Sequence, residues 1–326
     1  GPTWLVLAIC LVLHVTPCAA SRENVSEFIS ILEERGFTVQ EGRLGKLNVL
    51  ELCSAGYVNY CFGNNAGFPY AIYMLPPSPG QDPSPRQAPP VGYDPDAADN
   101  YPANLDTVPA GMTYKLRPDE AVVLIGSTPP PARYFSFRSY LGFVENKLRK
   151  DYTGTPTFGD DEIGWYHRIY CSLGDPLNHL NMWTGNTPGG AAGNAFGSAT
   201  VLITTADIGM NRMMRDALTA AGYSPDIIND DNIPPSLVHM GLEKGKDTFL
   251  IIMRAALWDQ PDVGGSYLDN IGDHLRVFRI TPNTPIAADE PWPVPALRVR
   301  ETGVSEYQTI PNAAADLEHL RQEIIR

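Results

Sequence analysis

The sequence predicts a mainly β protein of the α+β class: an antiparallel β-sandwich or jelly-roll-like body with peripheral helices. Three observations favour this fold. Short stretches rich in β-branched and aromatic residues recur along the chain and predict eight or more strands. Proline and glycine, at 30 and 29 of 326 residues, supply the many turns that such strands need. Helical patterns are few and do not alternate regularly with the strands, which disfavours a doubly wound parallel sheet.

The charge balance argues against a nucleic-acid partner. The formal net charge is −13, from 37 acidic and 24 basic residues, and a field of that sign repels phosphate backbones unless a local basic patch exists. The densest basic stretch, residues 145–152, mixes its three cations with Glu145 and Asp151. This mixture is typical of a solvated face, so we expect no binding of nucleic acid.

Residues 1–20 have the composition of a secretory signal peptide. Residues 3–15 carry no formal charge, and the small residues of "CAA" precede Ser21 as at a cleavage site. The apolar stretch is shorter than the roughly 20 residues that cross a bilayer, although an uncleaved anchor is the alternative. We therefore expect a secreted or periplasmic protein with one β-rich domain over residues 21–326. No stable membrane span is expected after cleavage.

The first helix is predicted for residues 25–35, because Phe28 and Leu32 share one helical face and Gly36 follows as a stop signal. Asn24 stands directly before it and has the properties of an N-cap residue. Asn24 also opens the sequon "NVS", so a glycan at this position is predicted for a eukaryotic host.

A cysteine-flanked loop lies between two predicted strands, at residues 46–52 and 69–76. Cys53 and Cys61 stand at its two ends. In an oxidising compartment we expect a disulfide between them, provided that their Cα atoms approach within about 7 Å. Cys171 would then remain as a buried thiol.

Residues 76–109 are rich in proline and are predicted to form an irregular surface excursion. Beyond it, residues 114–126 and 132–143 flank a triple-proline turn and predict a central, hairpin-like pair of strands. Residues 163–174 and 199–207 predict two more strands.

The clearest helical pattern is an insertion at residues 207–222, which Asp207 can cap and Gly222 can end. Its apolar residues lie at helical spacing: Met210, Met214, Ala217, Leu218 and Ala221. A methionine stripe at this spacing is more often core than a ligand cleft. Further strands and a closing helix are predicted at residues 247–258, 275–282, 296–302 and 313–326.

The stretch "DEAVVLIGSTPPPARYFSFRSYL" at residues 119–141 resembles the segment that marks the domain-of-unknown-function family numbered 1214. Members of that family carry a strand, a proline turn and then "ARYWSFQLY"-like residues. The stretch "SLGDPLNHLN" at residues 172–181 is similar to the family's short "SLN" element, although "GDP" interrupts it here. The resemblance covers about a tenth of the chain and implies a β-rich sandwich in a secreted or periplasmic protein. It implies no catalytic residue.

A candidate binding face lies on the strand after the proline turn, where alternation places Tyr134, Arg138 and Tyr140 on one side. Two aromatic rings and a guanidinium can stack on a sugar or hydrogen-bond a carboxylate, with Trp165 beside them. The alternative is a structural Arg138 that pairs with a nearby acid such as Glu145.

A second cluster combines His167, Asp175 and His179 within the stretch "WYHRIYCSLGDPLNHLN". With Glu145 as a further carboxylate, this is the composition of a general acid–base site or of half a metal site. The spacing matches no known metal motif, so no metal centre is predicted. A histidine on a strand is more often structural, which is the alternative here.

Other chemistry receives less support. The sequence has no Gly-x-Ser-x-Gly elbow, which disfavours a serine hydrolase, and its glycine-rich stretch lacks the dinucleotide spacing. The acidic stretches at residues 159–162 and 226–232 could bind calcium, but neither has the twelve-residue hand pattern. We expect exposed acidic turns there and no cofactor.

Three functional hypotheses follow. The first is a β-sandwich that binds a small polar molecule or a glycan through the tyrosine–arginine face. The second is an extracellular hydrolase or lyase with His167 or His179 as general base and Asp175 or Glu145 as its partner. The third is a structural or envelope protein that assembles through exposed edge strands. The sequence leaves the oligomeric state open.

Overall fold

The computed structural model describes most of the chain between Ala19 and Val294. The described ranges are 19–47, 69–81, 112–147, 157–158, 166–243 and 245–294, with residues 315, 318, 319 and 322. The chain divides into two compact units, Gly1–Pro293 and Val294–Arg326. In the second unit the residues described beyond Val294 are helical, and the amide of Gln322 donates to Glu318 Oε1 at 2.8 Å. They lie in the predicted C-terminal helix. The first unit holds every element below.

The described residues of the first unit form twelve β-strands and four α-helices. The strands are β1 (Phe37–Glu41), β2 (Arg43–Leu47), β3 (Tyr70–Met74), β4 (Ala121–Ser127), β5 (Ala132–Glu145), β6 (Thr157–Phe158), β7 (Tyr166–Ser172), β8 (Leu177–Asn178), β9 (Ala199–Thr205), β10 (Ile228–Asn232), β11 (Thr248–Trp258) and β12 (Leu275–Pro282). The helices are α1 (Ala19–Glu34), α2 (Ile208–Ala220), α3 (Pro261–Asp269) and α4 (Ile271–His274).

The strands build two sheets. Sheet A has the order β1-β12-β4-β9-β10, and sheet B has the order β2-β3-β11-β5-β7-β6, with β8 paired to β5. The strand pairs are antiparallel except for β9 and β10, which are parallel. The prediction of a mainly β, antiparallel sandwich with peripheral helices is confirmed.

The main core lies between the two sheets because one face of each sheet is apolar. Alternate residues of β5 and β11, such as Phe135, Phe137 and Ile251, pack against Val122 and Leu202 of sheet A. The odd-numbered side chains of β5 between Phe135 and Ser139 therefore face inward. The even-numbered side chains, which include the predicted tyrosine–arginine face, lie on the outer face of sheet B.

The opposite face of sheet A is covered by helices α1 and α2. Phe28 and Leu32 of α1 and Met214 of α2 are fully buried against this sheet, beside Val123 and Ile203. The first unit therefore has three layers: helices, sheet A and sheet B. Sheet A is buried on both faces, which explains why its strands β4 and β9 are nearly continuous apolar runs.

Helix α2 forms where the sequence predicts it. The carboxylate of Asp207 caps the helix by accepting from the backbone N–H of Met210 at 2.9 Å, and Gly222 follows its end with φ +90°. The methionine stripe is core, since Met210 and Met214 are buried. The helix connects the parallel strands β9 and β10, which makes one β-α-β unit inside a mostly antiparallel fold.

The acidic stretch at residues 226–232 is not the exposed turn that the sequence predicts. Its residues 228–232 form strand β10 at the edge of sheet A. The carboxylate of Asp231 is buried and accepts from Ser139 Oγ and, at 2.8 Å, from Thr204 Oγ1. Burial raises the pKa of Asp231, although these hydroxyls act in the opposite direction. The carboxylate therefore joins the two sheets instead of facing solvent.

Helix α1 begins at Ala19, six residues before the predicted start at Val25. Asn24 is therefore inside the helix and is not its N-cap, and its side chain lies near Gly222. A glycan at Asn24 stays a prediction. The prediction of a buried Cys171 thiol is wrong, because Cys171 is exposed on strand β7. Several predicted features fall outside the described residues: most of the signal peptide, the Cys53–Cys61 disulfide, Trp165, the acidic stretch at 159–162, and the excursion at 76–109 beyond Gln81.

Candidate functional site

The predicted binding face is the outer face of sheet B. On β5, Tyr134, Arg138 and Tyr140 are half-buried, and all three side chains follow the even-numbered alternation. The neighbouring strand β11 adds Arg254, which lies directly opposite Ser136, and Tyr70 of β3 lies opposite Arg254 on its other side. Strand pairing therefore gathers tyrosines and arginines from three adjacent strands, in the middle of the sheet.

Arg254 is held among the tyrosine rings. Its guanidinium carbon lies 5.4 Å from the centroid of the Tyr134 ring, within cation–π distance. Burial alone would lower the pKa of Arg254. A hydrogen bond to Tyr134, together with the electrostatic influence of Tyr134, Tyr140 and Tyr70, outweighs burial and raises it. Arg254 is therefore a permanent cation on this face.

Arg138 is half-buried, and it makes no hydrogen bond or ion pair within the described part of the chain. The sequence analysis names Glu145 as a possible ion-pair partner of Arg138. Glu145 is seven residues further along the same strand, which corresponds to about 23 Å. The Glu145 carboxylate instead lies beside Gly245, so it is not the ion-pair partner of Arg138.

His179 borders the face but has aromatic neighbours. Its ring centroid lies 5.6 Å from that of Tyr134 and 5.5 Å from that of Phe196. Burial lowers the pKa of His179, so the imidazole is neutral at pH 7. Its Nδ1 is buried without a hydrogen-bond partner in the described structure. The ring contacts favour a role in lining the face over a role as a general base.

The four predicted catalytic residues do not form one cluster. His167 pairs with Val144 near the end of β5, where Glu145 also lies. His179 lies next to Phe135, nine residues back along β5, which corresponds to about 30 Å. Asp175 is on the exposed loop at the His179 end. One active site cannot contain both histidines in this arrangement.

Sequence reasoning missed Arg254, which it treated only as part of a long strand. The signal that could have found it is a lone arginine inside the apolar stretch "DTFLIIMRAALW". Sequence reasoning also missed a histidine–carboxylate contact. His239 Nδ1 lies 3.4 Å from Asp247 Oδ2. The His239 side chain is 71% exposed, which is more typical of a surface contact than of a catalytic pair.

A buried charged network lies on the other side of sheet B, between the sheets. Glu120 and Arg279 are fully buried and form an ion pair at 2.9 Å. The Glu120 carboxylate also accepts from Ser78 Oγ at 2.5 Å and Thr281 Oγ1 at 2.6 Å, and Arg279 Nη1 donates to the carbonyl of Lys115. This network joins sheet A to the segment before β4 and has the character of a structural element.

Lys115 is buried beside this network. Its ammonium donates to the carbonyl of Glu243 and, at 2.9 Å, to that of Lys246, so it anchors the loop before β11. Burial lowers the pKa of Lys115 to about 8, although Asp247 and Glu243 act in the opposite direction. Because the pKa of Lys115 is lower in the folded protein than in the unfolded chain, the free energy of unfolding rises with pH between the two pKa values.

We expect the free energy of unfolding to rise with pH between about 8 and 9.5. In this range Lys115 keeps its proton in the unfolded chain and loses it in the folded protein. The free energy of unfolding therefore rises by at most about 1.4 kcal/mol per pH unit. Urea unfolding at pH 7.5, 8.5 and 9.5 measures the rise. Lys115→Met should abolish it, and Lys46→Met, at an exposed ion pair, should retain it. A flat wild-type profile would contradict the assignment.

Two open cavities lie away from the tyrosine–arginine face. One, of about 460 Å³, is lined by residues 117–119 and 240–243 and by Lys246, Pro285, Ile286 and Ala288. The other, of about 420 Å³, is lined by β2 and residues 268–273. The described residues contain no group of three or more His, Cys, Asp or Glu side chains placed to hold a metal ion. Within the same residues, no helix is long and apolar enough to cross a bilayer.

Comparison with known proteins gave no match: no family model fits the sequence, no curated protein matches it, and no solved structure matches the fold. The functional proposal below therefore depends on the geometry of the tyrosine–arginine face.

Proposed function

We propose that the protein is a binding module that recognises a small polar molecule or a glycan on the outer face of sheet B. The observation that carries the proposal is the half-buried Arg138 guanidinium, which lacks a hydrogen bond or ion pair within the described residues and lies between Tyr134 and Tyr140 on one strand. Structural arginines are normally paired when they are withdrawn from water. We therefore assign the Arg138 guanidinium to ligand binding.

The tyrosines supply the second half of the recognition. A tyrosine ring presents an apolar face on which a sugar ring can stack, and its hydroxyl can donate to or accept from a sugar hydroxyl. Tyr70, Tyr134 and Tyr140 are all half-buried, so part of each side chain reaches solvent. Because they lie on paired strands, their positions are fixed before a ligand arrives, and binding costs little conformational entropy.

The hydrolase or lyase alternative receives weaker support. It requires a histidine within hydrogen-bond distance of a carboxylate at the floor of a cleft. The described contacts of His179 are aromatic, and His239, which does approach a carboxylate, is largely exposed. The proposal also places the protein outside the cytoplasm, and that part depends on the predicted signal peptide at residues 1–20.

Replacement of Arg138 tests the proposed function. The full chain is titrated calorimetrically with a panel of neutral and acidic oligosaccharides, and the tightest binder is carried forward. Arg138→Gln should weaken that binding about 10- to 100-fold, because a charge-assisted hydrogen bond is lost. Arg133→Gln is the matched control, since Arg133 is exposed on the same strand and faces the opposite way.

Equal losses in the two variants would refute the assignment of the face, and so would an Arg138→Gln variant that binds like the wild type. Circular dichroism of both variants shows whether the fold is intact. If no saccharide in the panel binds the wild-type protein, the glycan form of the proposal is wrong.

A further inference from the structure

We propose that the interior of the first unit binds ordered water at a site between the two sheets, formed by Gln40, Tyr73, Tyr114 and Arg279. This site is distinct from the proposed binding face, which lies on the outer side of sheet B. The observation behind it is a set of buried polar atoms that make no hydrogen bond in the described structure: Gln40 Oε1, Tyr73 Oη, Tyr114 Oη, Arg279 Nε and Arg279 Nη2. We call these residues the inter-sheet polar site.

Arg279 brings unused donors to the inter-sheet polar site. On β12 it alternates with Phe278 and Ile280, which pack on the helical side of sheet A, so its side chain points toward sheet B. Its Nη1 group donates to Glu120 Oε2 at 2.9 Å and to the carbonyl of Lys115 at 3.0 Å. The N–H groups of Nε and Nη2 have no partner among the described residues, although Arg279 is fully buried. Water is the usual partner of buried donors that the protein itself leaves unpaired.

Gln40 and Tyr114 lie next to this guanidinium. Gln40 of β1 is the direct strand partner of Arg279, so both side chains leave sheet A on the same face, with Cβ atoms about 4.5–5.5 Å apart. The centroid of the Tyr114 ring lies 5.8 Å from the guanidinium carbon of Arg279. An acceptor and a hydroxyl that lack partners in the described structure therefore lie close to the unpaired N–H groups, without bonding to them directly.

Tyr73 adds a second hydroxyl from the inner face of sheet B. Strand β3, which carries Tyr73, pairs with β11, and Tyr114 pairs with Phe249 of β11 on the same side, opposite to β5. Both tyrosines belong to the core between the sheets, and they are 1% and 3% exposed. Burial raises the pKa of Tyr73, and the electrostatic influence of Asp231 and Tyr114 adds to the rise. Burial raises the pKa of Tyr114 as well, so both hydroxyls keep their protons at neutral pH.

The mixture of donors and acceptors favours water over an ion. An anion can accept from Arg279 and from the tyrosines, but it has no proton to donate to Gln40 Oε1. A metal cation would be repelled by the guanidinium. Water both donates and accepts, and a buried water molecule typically makes about three hydrogen bonds, so ordered water can connect the members of the site.

Removal of the tyrosine hydroxyls tests the site by the sign of the effect. A buried hydroxyl without a partner destabilises a protein, so its removal in Tyr73→Phe or Tyr114→Phe would raise the urea midpoint or leave it unchanged. A hydroxyl that is bonded to water stabilises the fold, and we therefore expect each variant to lower the midpoint. Tyr267→Phe is the matched reference, since Tyr267 Oη donates to the carbonyl of Ser127 at 3.0 Å and its removal should lower the midpoint. If the midpoint falls in neither Tyr73→Phe nor Tyr114→Phe, the proposal is wrong.

A high-resolution crystal structure of the full chain identifies the partner directly and needs no variant. We expect a water oxygen within about 3.2 Å of Arg279 Nε or Nη2 and of at least one other member of the inter-sheet polar site. Direct hydrogen bonds between Arg279, Gln40 and the tyrosines, with no water among them, would overturn the proposal. So would an anomalous bromide peak at the guanidinium in a crystal soaked in sodium bromide, because it would identify an anion site.

Discussion

Replacing Arg279 with methionine is expected to lower the free energy of unfolding by about 3–5 kcal/mol, the usual cost of leaving one member of a buried ion pair without its partner. Arg279 and Glu120 are fully buried, and the Glu120 carboxylate would stay in the interior with its charge uncompensated. Methionine fills a similar volume, so the loss reports the charge and not a cavity. Urea unfolding at pH 7 measures it.

The control is on the same strand. Arg276 forms a bidentate pair with Glu41 at 2.7 and 2.9 Å, but that pair is exposed, so Arg276→Met should cost about 1 kcal/mol or less. The double variant Glu120→Gln/Arg279→Met removes both charges and keeps an acceptor for Ser78 and Thr281. It should recover at least half of the loss. If the double variant is less stable than Arg279→Met, the charge explanation is wrong.

Truncation of Met214 to alanine is the second large effect, with an expected loss of about 2–5 kcal/mol. Met214 is fully buried between helix α2 and sheet A, so alanine would leave a cavity in the helical layer. Met213, one position earlier, is only partly buried and is the matched control. Met213→Ala should cost less than about 1.5 kcal/mol.

Thermal or urea unfolding of the two alanine variants measures this difference. Similar losses at positions 213 and 214 would mean that the helix is not seated on sheet A as described. Calorimetric titration of both variants with the oligosaccharide panel adds a second measurement, the ligand affinity. Neither methionine lies on the tyrosine–arginine face, so ligand affinity at a temperature where both variants are folded should be unchanged.

The fold was predictable because its signals are local. Strands β4, β5, β9, β11 and β12 each have an apolar or alternating pattern, and the turn residues that bound them are proline and glycine. Helix α2 carries its own cap and stop in Asp207 and Gly222. Such features depend on neighbouring residues along the chain, so a reader of the sequence has what is needed to find them.

The acidic stretch and the histidine cluster were not predictable in the same way. Asp231 resembles a surface acid in the sequence, and it is buried only because Ser139 and Thr204, distant in the chain, supply its hydrogen bonds. His167 and His179 are twelve residues apart in sequence. Strand β7, which carries His167, pairs with the C-terminal half of β5, whereas β8, which ends just before His179, pairs with its N-terminal half. Proximity in sequence says little about distance once a chain enters a sheet.

The sequence by itself determined the fold class, the helix at residues 208–220 and the face on which Tyr134, Arg138 and Tyr140 lie. Only the tertiary structure decided that Arg254 and Tyr70 join that face, that Glu145 is too far to pair with Arg138, and that Glu120 meets Arg279 in the core. The physical reason is that alternation within one strand is set by local backbone geometry. The pairing of β5 with β11, which brings Arg254 to the face, is set by hydrogen bonds between segments more than a hundred residues apart.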